Sequence, residues 1–268
     1  TIYYRRGAMV AGVAALAAIW CAVLPPITQN PLYHSFADGR TFHGMPNFWN
    51  VISNIPFFIV ALCGIKTLRS GMAFVEPWER VAYCVLLAGT AVTGAGSIYY
   101  HLQPDNPRLF WDRLPMTVVF MSLVATTIGE RVRMDAGRRL LFPLVLLGLG
   151  SVLYWRFCGD LRPYGLVQFG SLLAVPALLA VFPPRYSAGR RVWCTVILYL
   201  LAKIAEFLDH EIASVVATGG HPWKPFAAAG AVFFYVSAVG CRRPLQAPPA
   251  PPGRPPFPGA LVRQGASQ

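Results

Sequence analysis

The sequence predicts an all-α integral membrane helix bundle, a seven-helix core with one further transmembrane helix at its N-terminus. Three observations carry that expectation. The 268 residues are 55% hydrophobic and only 13% charged, with a mean hydropathy of +0.49, more apolar surface than one soluble core of this size can hide. Apolar runs close to the roughly 20 residues needed to cross a bilayer recur along the whole chain. The basic residues, finally, sort by loop.

Eight runs read as spans: residues 9–27, 48–65, 81–100, 114–128, 140–154, 166–182, 192–208 and 226–240. Pro115, Pro143 and Pro176 fall inside three of them and are candidate kinks. In the first, Arg5 and Arg6 precede an apolar stretch as in a signal peptide, but Pro25-Pro26-Ile27-Thr28 follows Leu24 with no small-x-small cleavage site, which favours an uncleaved anchor. The chain thus divides into an anchor (1–28), a seven-helix membrane domain (29–241) and a tail (242–268). Eight prolines between Pro244 and Pro258 leave that tail too few core-forming residues to fold.

With a cytoplasmic N-terminus, the inner segments hold fourteen basic residues, from Arg5 and Arg6 to Arg242 and Arg243, and the outer ones six: Arg40, Arg108, Arg113, Arg156, Arg162 and Lys224. This positive-inside bias puts both termini in the cytoplasm. The net charge of +12 therefore reports topology and anionic headgroups, and no nucleic-acid partner is expected. The six cysteines form no CxxC pair and read as small buried hydrophobes.

On this topology, Asn47, Asn50 and Asn54 begin span two, Ser97 and His101 end span three, Asp112 and Arg113 open span four, Glu206 and Asp209 end span seven and His221 precedes span eight, all near the outer interface. Ionisable groups in a membrane helix need a partner or a task, and bundles build metal and ligand sites from converging helix ends. Each residue alone has a plainer role. Ser97 can bond back to a carbonyl one turn earlier, Asp112 can cap its helix or pair with Arg108, and Lys203, Glu206 and Asp209 have the spacing of an ion-pair cluster. Together they suit hydrolysis. Ser97 and His101 share a helix face one turn apart, imidazoles with a carboxylate suit zinc, Asp112 can deprotonate a water, and Ser97 can hydrogen-bond an oxyanion. A transporter path would instead place these groups at the midplane.

The segments Asn47-Phe48-Trp49-Asn50-Val51-Ile52-Ser53-Asn54, Gly96-Ser97-Ile98-Tyr99-Tyr100-His101, Phe110-Trp111-Asp112-Arg113-Leu114-Pro115-Met116 and Gly220-His221-Pro222-Trp223-Lys224 resemble those of the alkaline ceramidases, members of a superfamily of seven-helix membrane hydrolases that includes adiponectin-type receptors. The resemblance implies a zinc-dependent amidase that splits ceramide-like membrane lipids into a sphingoid base and a fatty acid. It implies that Ser97 is the family's serine, Asp112 its aspartate facing the zinc's water, and His101 and His221 two of its three zinc histidines. The third stands four residues further on, where this chain has Pro225. Glu206, Asp209 and His210 are the candidates for a substitute ligand. Without one, a lipid-binding or receptor-like member of the family is the alternative reading. Some relatives carry a calcium site before the first core helix, but Asp38, Asn47 and Asn50 offer too few carboxylates, and calcium is not expected.

Overall fold

The computed structural model describes Gly12, Ala15, Ile19 and residues 22–70 and 74–245. The expected first span falls mostly outside the described residues, as does the tail beyond Leu245. A short helix α1 (Phe48–Ile52) leads into α2 (Ile55–Ser70), followed by α3 (Pro77–Leu102), α4 (Asn106–Arg131), α5 (Met134–Cys158), α6 (Arg162–Val181), α7 (Gly189–Phe207), the short α8 (Asp209–Ala213) and α9 (Trp223–Cys241). The protein is an all-α, multi-pass membrane bundle. Among the described residues, six stretches are long and apolar enough to cross a membrane. Helix α7 falls outside that set because Arg190, Arg191, Lys203 and Glu206 charge its two ends.

The seven expected core spans are all helical, but most begin earlier than the apolar runs indicate. Helix α4 starts at Asn106, not near Leu114: Asp105 caps it by accepting a bond from the Arg108 N–H at 2.7 Å, and Pro107 sits in the first turn. Asp105, not Asp112, is thus both the cap and the partner of Arg108, which leaves Asp112 inside the helix. Pro115, Pro143 and Pro176 are each contained within an unbroken helix.

The helices pack in succession α2–α3–α4–α5–α6, α4 also touches α6, and α9 joins α7 to α2 and closes the bundle. At one end of the bundle, Arg242 pairs with Glu79 at 2.9 Å and with Glu130, while the Tyr186 hydroxyl donates to Glu79 at 2.8 Å. The folded body therefore runs past the boundary expected at residue 241. At the opposite end, residues 22–47 cross the helix ends as a strap. Asp160 accepts from the Ile27 N–H at 3.2 Å, His34 bridges the Tyr100 hydroxyl (2.9 Å) and Asn106 (3.0 Å), and Asp209 accepts from the Ala37 N–H at 2.9 Å.

Candidate active site

Ser97 and Asp112 meet on neighbouring helices, and His101 and His221 meet beside the Gly219-Gly220-His221 turn. Ser97, His101, Asp112 and His221 are all buried, at 5%, 1%, 3% and 4% exposure. Two close approaches build the site. At Gly96 a Cβ would lie 2.1 Å from the Trp111 carbonyl oxygen, so only glycine lets α3 and α4 come this near. The next residue on each helix, Ser97 and Asp112, then meets the other, with the Ser97 hydroxyl hydrogen-bonding to the Asp112 carboxyl. The second approach is the Gly219-Gly220-His221 turn. Gly219 adopts φ +67°, and a Cβ there would sit 2.4 Å from Asp209 Oδ1. At Gly220 a Cβ would sit 2.2 Å from the Ala205 carbonyl oxygen. That turn delivers His221, whose backbone N–H donates to Asp209 Oδ1 at 2.8 Å.

The His101 and His221 rings lie edge to face, 5.1 Å apart between centroids. His101 Nδ1 and His221 Nε2 are buried without a hydrogen-bond partner. Two such nitrogens in one dry space are unusual, since buried polar atoms are nearly always satisfied. Burial, and after it the neighbouring Lys224 cation, pushes the His221 pKa down to about 3. Its imidazole is therefore neutral at physiological pH, the form that ligates metals. The carbonyl of His101 accepts from Asn47 Nδ2 at 2.9 Å, while Asn50 Nδ2 donates to the Asp38 carbonyl at 3.0 Å. The Asp38 carboxylate itself is taken by Arg40, at 2.7 Å.

The candidate substitute ligands have other partners. Glu206 accepts from Lys203, from Lys224 and from the Tyr33 hydroxyl, the last at 2.8 Å, which is the ion-pair role that its spacing suggested. Asp209 holds the Ala37 and His221 backbone N–H groups. His210 is exposed, with Nε2 at 3.0 Å from the Ser35 carbonyl. Among the described residues, no three His, Cys, Asp or Glu side chains gather as a metal set. The two unpartnered imidazole nitrogens are donors of the type that ligates zinc, and Pro225, in the first turn of α9, has no side-chain donor.

Sequence reasoning missed two residues of the strap. The Phe36 ring lies 4.3 Å from that of His221 and 5.0 Å from that of His101, covering both. Tyr33 reaches Glu206, and burial with that carboxylate pushes its pKa up to about 12. Neither belongs to a motif or a periodic pattern, so no signal in the sequence marks them. Phe36→Ala should speed modification of His221 by an imidazole-directed acylating reagent several-fold, read by mass spectrometry. An unchanged rate would mean that the ring is not the cover.

Next to the site lies an apolar cavity of about 90 Å³. Thr93 of α3, Met116 of α4, Tyr199 of α7 and Ala228 of α9 line it, each one helical turn from Ser97, Asp112, Lys203 and Lys224 respectively. Residues four apart share a helix face, so the polar layer and the cavity occupy successive turns of the same four helices.

Fold and site together define the class: a multi-pass helical membrane protein with a buried serine, aspartate and histidine set above an apolar cavity. The ceramidase family model matches residues 41–207. The chain belongs to the ceramidase family. The matched region contains Ser97, His101 and Asp112, and His221 lies beyond it. No curated protein matches the chain.

Proposed function

We propose that the protein is a zinc-dependent amidase of the membrane that hydrolyses ceramide or a related N-acyl lipid to a fatty acid and a sphingoid base or amine. The carrying observation is the register of the cavity against the polar layer. An acyl chain in the cavity, entering sideways from the bilayer, brings its amide carbonyl to the level of Ser97, Asp112 and the two histidines. His101 and His221 would hold the zinc, which supplies Lewis-acid polarisation of the carbonyl and a lowered water pKa. Asp112 takes the proton of the attacking water and returns it to the leaving amine nitrogen. The Ser97 hydroxyl, next to Asp112, donates to the oxygen that gains charge. Phe36 keeps bulk water off the histidines, which strengthens these interactions. The positive-inside distribution supports placing this layer at the outer face, with both termini cytoplasmic.

The second reading, a lipid-binding member with impaired catalysis, is favoured by one residue, Pro225. Metal analysis of the purified protein separates the two. Near-stoichiometric zinc, lost in His101→Ala, is expected of the amidase, and no zinc under any purification condition would sink it. Pro225→His restores an imidazole one turn from His221, and because α9 is already helical at this position the variant should retain zinc more tightly through dialysis against a chelator. Unchanged retention would show that a third histidine is not what the site lacks.

A further inference from the structure

Two ammonium groups share one carboxylate, one helical turn from residues that line the cavity. Lys203 Nζ donates to Glu206 Oε2 and Lys224 Nζ to Glu206 Oε1, whose third donor is the uncharged Tyr33 hydroxyl. The lysine side chains are 20% and 14% exposed. The other charged groups nearby are Asp112, Asp209 and Arg113. Asp112 faces Ser97, Asp209 holds two backbone N–H groups, and the Arg113 guanidinium lies over the Tyr33, Trp155 and Tyr164 rings at 4.5–5.2 Å. Within the triad, two ammonium groups therefore share one carboxylate. Each ammonium has three donors, and Glu206 uses one of each.

The triad also has an apolar space beside it. Tyr199 and Val196 lie one and two turns before Lys203, Ala228 and Val232 one and two turns after Lys224, and all four line the apolar cavity. The Lys203 ammonium further lies 5.7 Å from the ring of Phe169, a half-exposed residue of α6. Lys203 therefore sits on the side where α6 and α7 share the cavity wall.

We infer that Lys203 and Lys224 form a carboxylate-binding subsite for a long-chain fatty acid, with the head on the two ammonium groups and the chain in the apolar cavity. The subsite is independent of amide hydrolysis and of zinc. In a hydrolase it retains the acid product, and in a lipid-binding protein it holds the ligand.

The test uses palmitate and, as the uncharged probe of equal chain length, palmityl alcohol, titrated into the full-length protein in phosphatidylcholine nanodiscs. Palmitate should bind at least about tenfold more tightly than the alcohol. Lys203→Met and Lys224→Met should each abolish most of that preference and leave alcohol binding unchanged. Each variant leaves Glu206 with one lysine and Tyr33, so the carboxylate stays paired. Equal affinity of acid and alcohol for the wild type would overturn the subsite, whether or not the variants fold. So would a preference that survives both substitutions, which would place the head on another group. Neither probe is an amide, so failure here is distinct from failure of the amidase reading.

Discussion

Asp112→Asn should lower the rate of amide hydrolysis by about 10²- to 10⁴-fold, the usual contribution of a positioned general base. The substitution keeps the shape of the side chain and an oxygen to face Ser97, so the helix contact at Gly96 and the thermal stability should survive. Asparagine cannot take a proton from water. The side chain is 3% exposed and lies inside α4, with no role as a cap, because Asp105 fills that position. A purely structural Asp112 would show the opposite pattern, a loss of stability with activity per folded molecule preserved. Rates should therefore be normalised to folded protein, measured by thermal unfolding of the same sample.

Gly96→Ala should be the most damaging addition of a single methyl group. The new Cβ would stand 2.1 Å from the Trp111 carbonyl oxygen and 2.8 Å from its carbon, and the obstacle is backbone, which no rotamer change can move aside. Forced helix separation should cost about 1–3 kcal/mol of stability. It should also cost about 10²-fold in activity, since Ser97 and Asp112 follow the two touching residues and a shift of about 1 Å at a reacting group has that effect. By contrast, Gly150 faces open space, so Gly150→Ala in α5 is the control and should change neither. Equal behaviour of the two alanine variants would show that the close approach does not set the site.

The membrane bundle was readable from the apolar runs because hydrophobicity is a sum over a whole helix. Helix starts were not, since the first turns of α4 and α5 carry Arg108, Asp112, Arg138 and Arg139, polar residues that interrupt an apolar run without interrupting a helix. The grouping of the site was readable from topology: once odd spans run outward and even spans inward, Ser97, His101, Asp112 and His221 share one face. What topology cannot supply is which side chains already have partners. Glu206 and Asp209 were readable both as an ion-pair cluster and as candidate substitute ligands, and in the fold the first holds two lysines and the second holds two backbone N–H groups. The Phe36 cover depends on the path of an irregular strap and has no periodicity to read.

Lys224 shows how one residue can carry two readings. In the sequence it is one of six outer cations that set the topology. In the folded protein it is a partner of Glu206 in the first turn of α9, three residues after His221. Pro225 follows it and leaves the site two histidines, a local ion-pair cluster and no third imidazole.

The most direct test of the amidase is a mass balance on ceramide incubated with the purified protein in lipid. The expected result is equal amounts of free fatty acid and sphingoid base, both absent with His101→Ala. Ceramide recovered intact from a protein that binds it would contradict the account and leave lipid binding as the function.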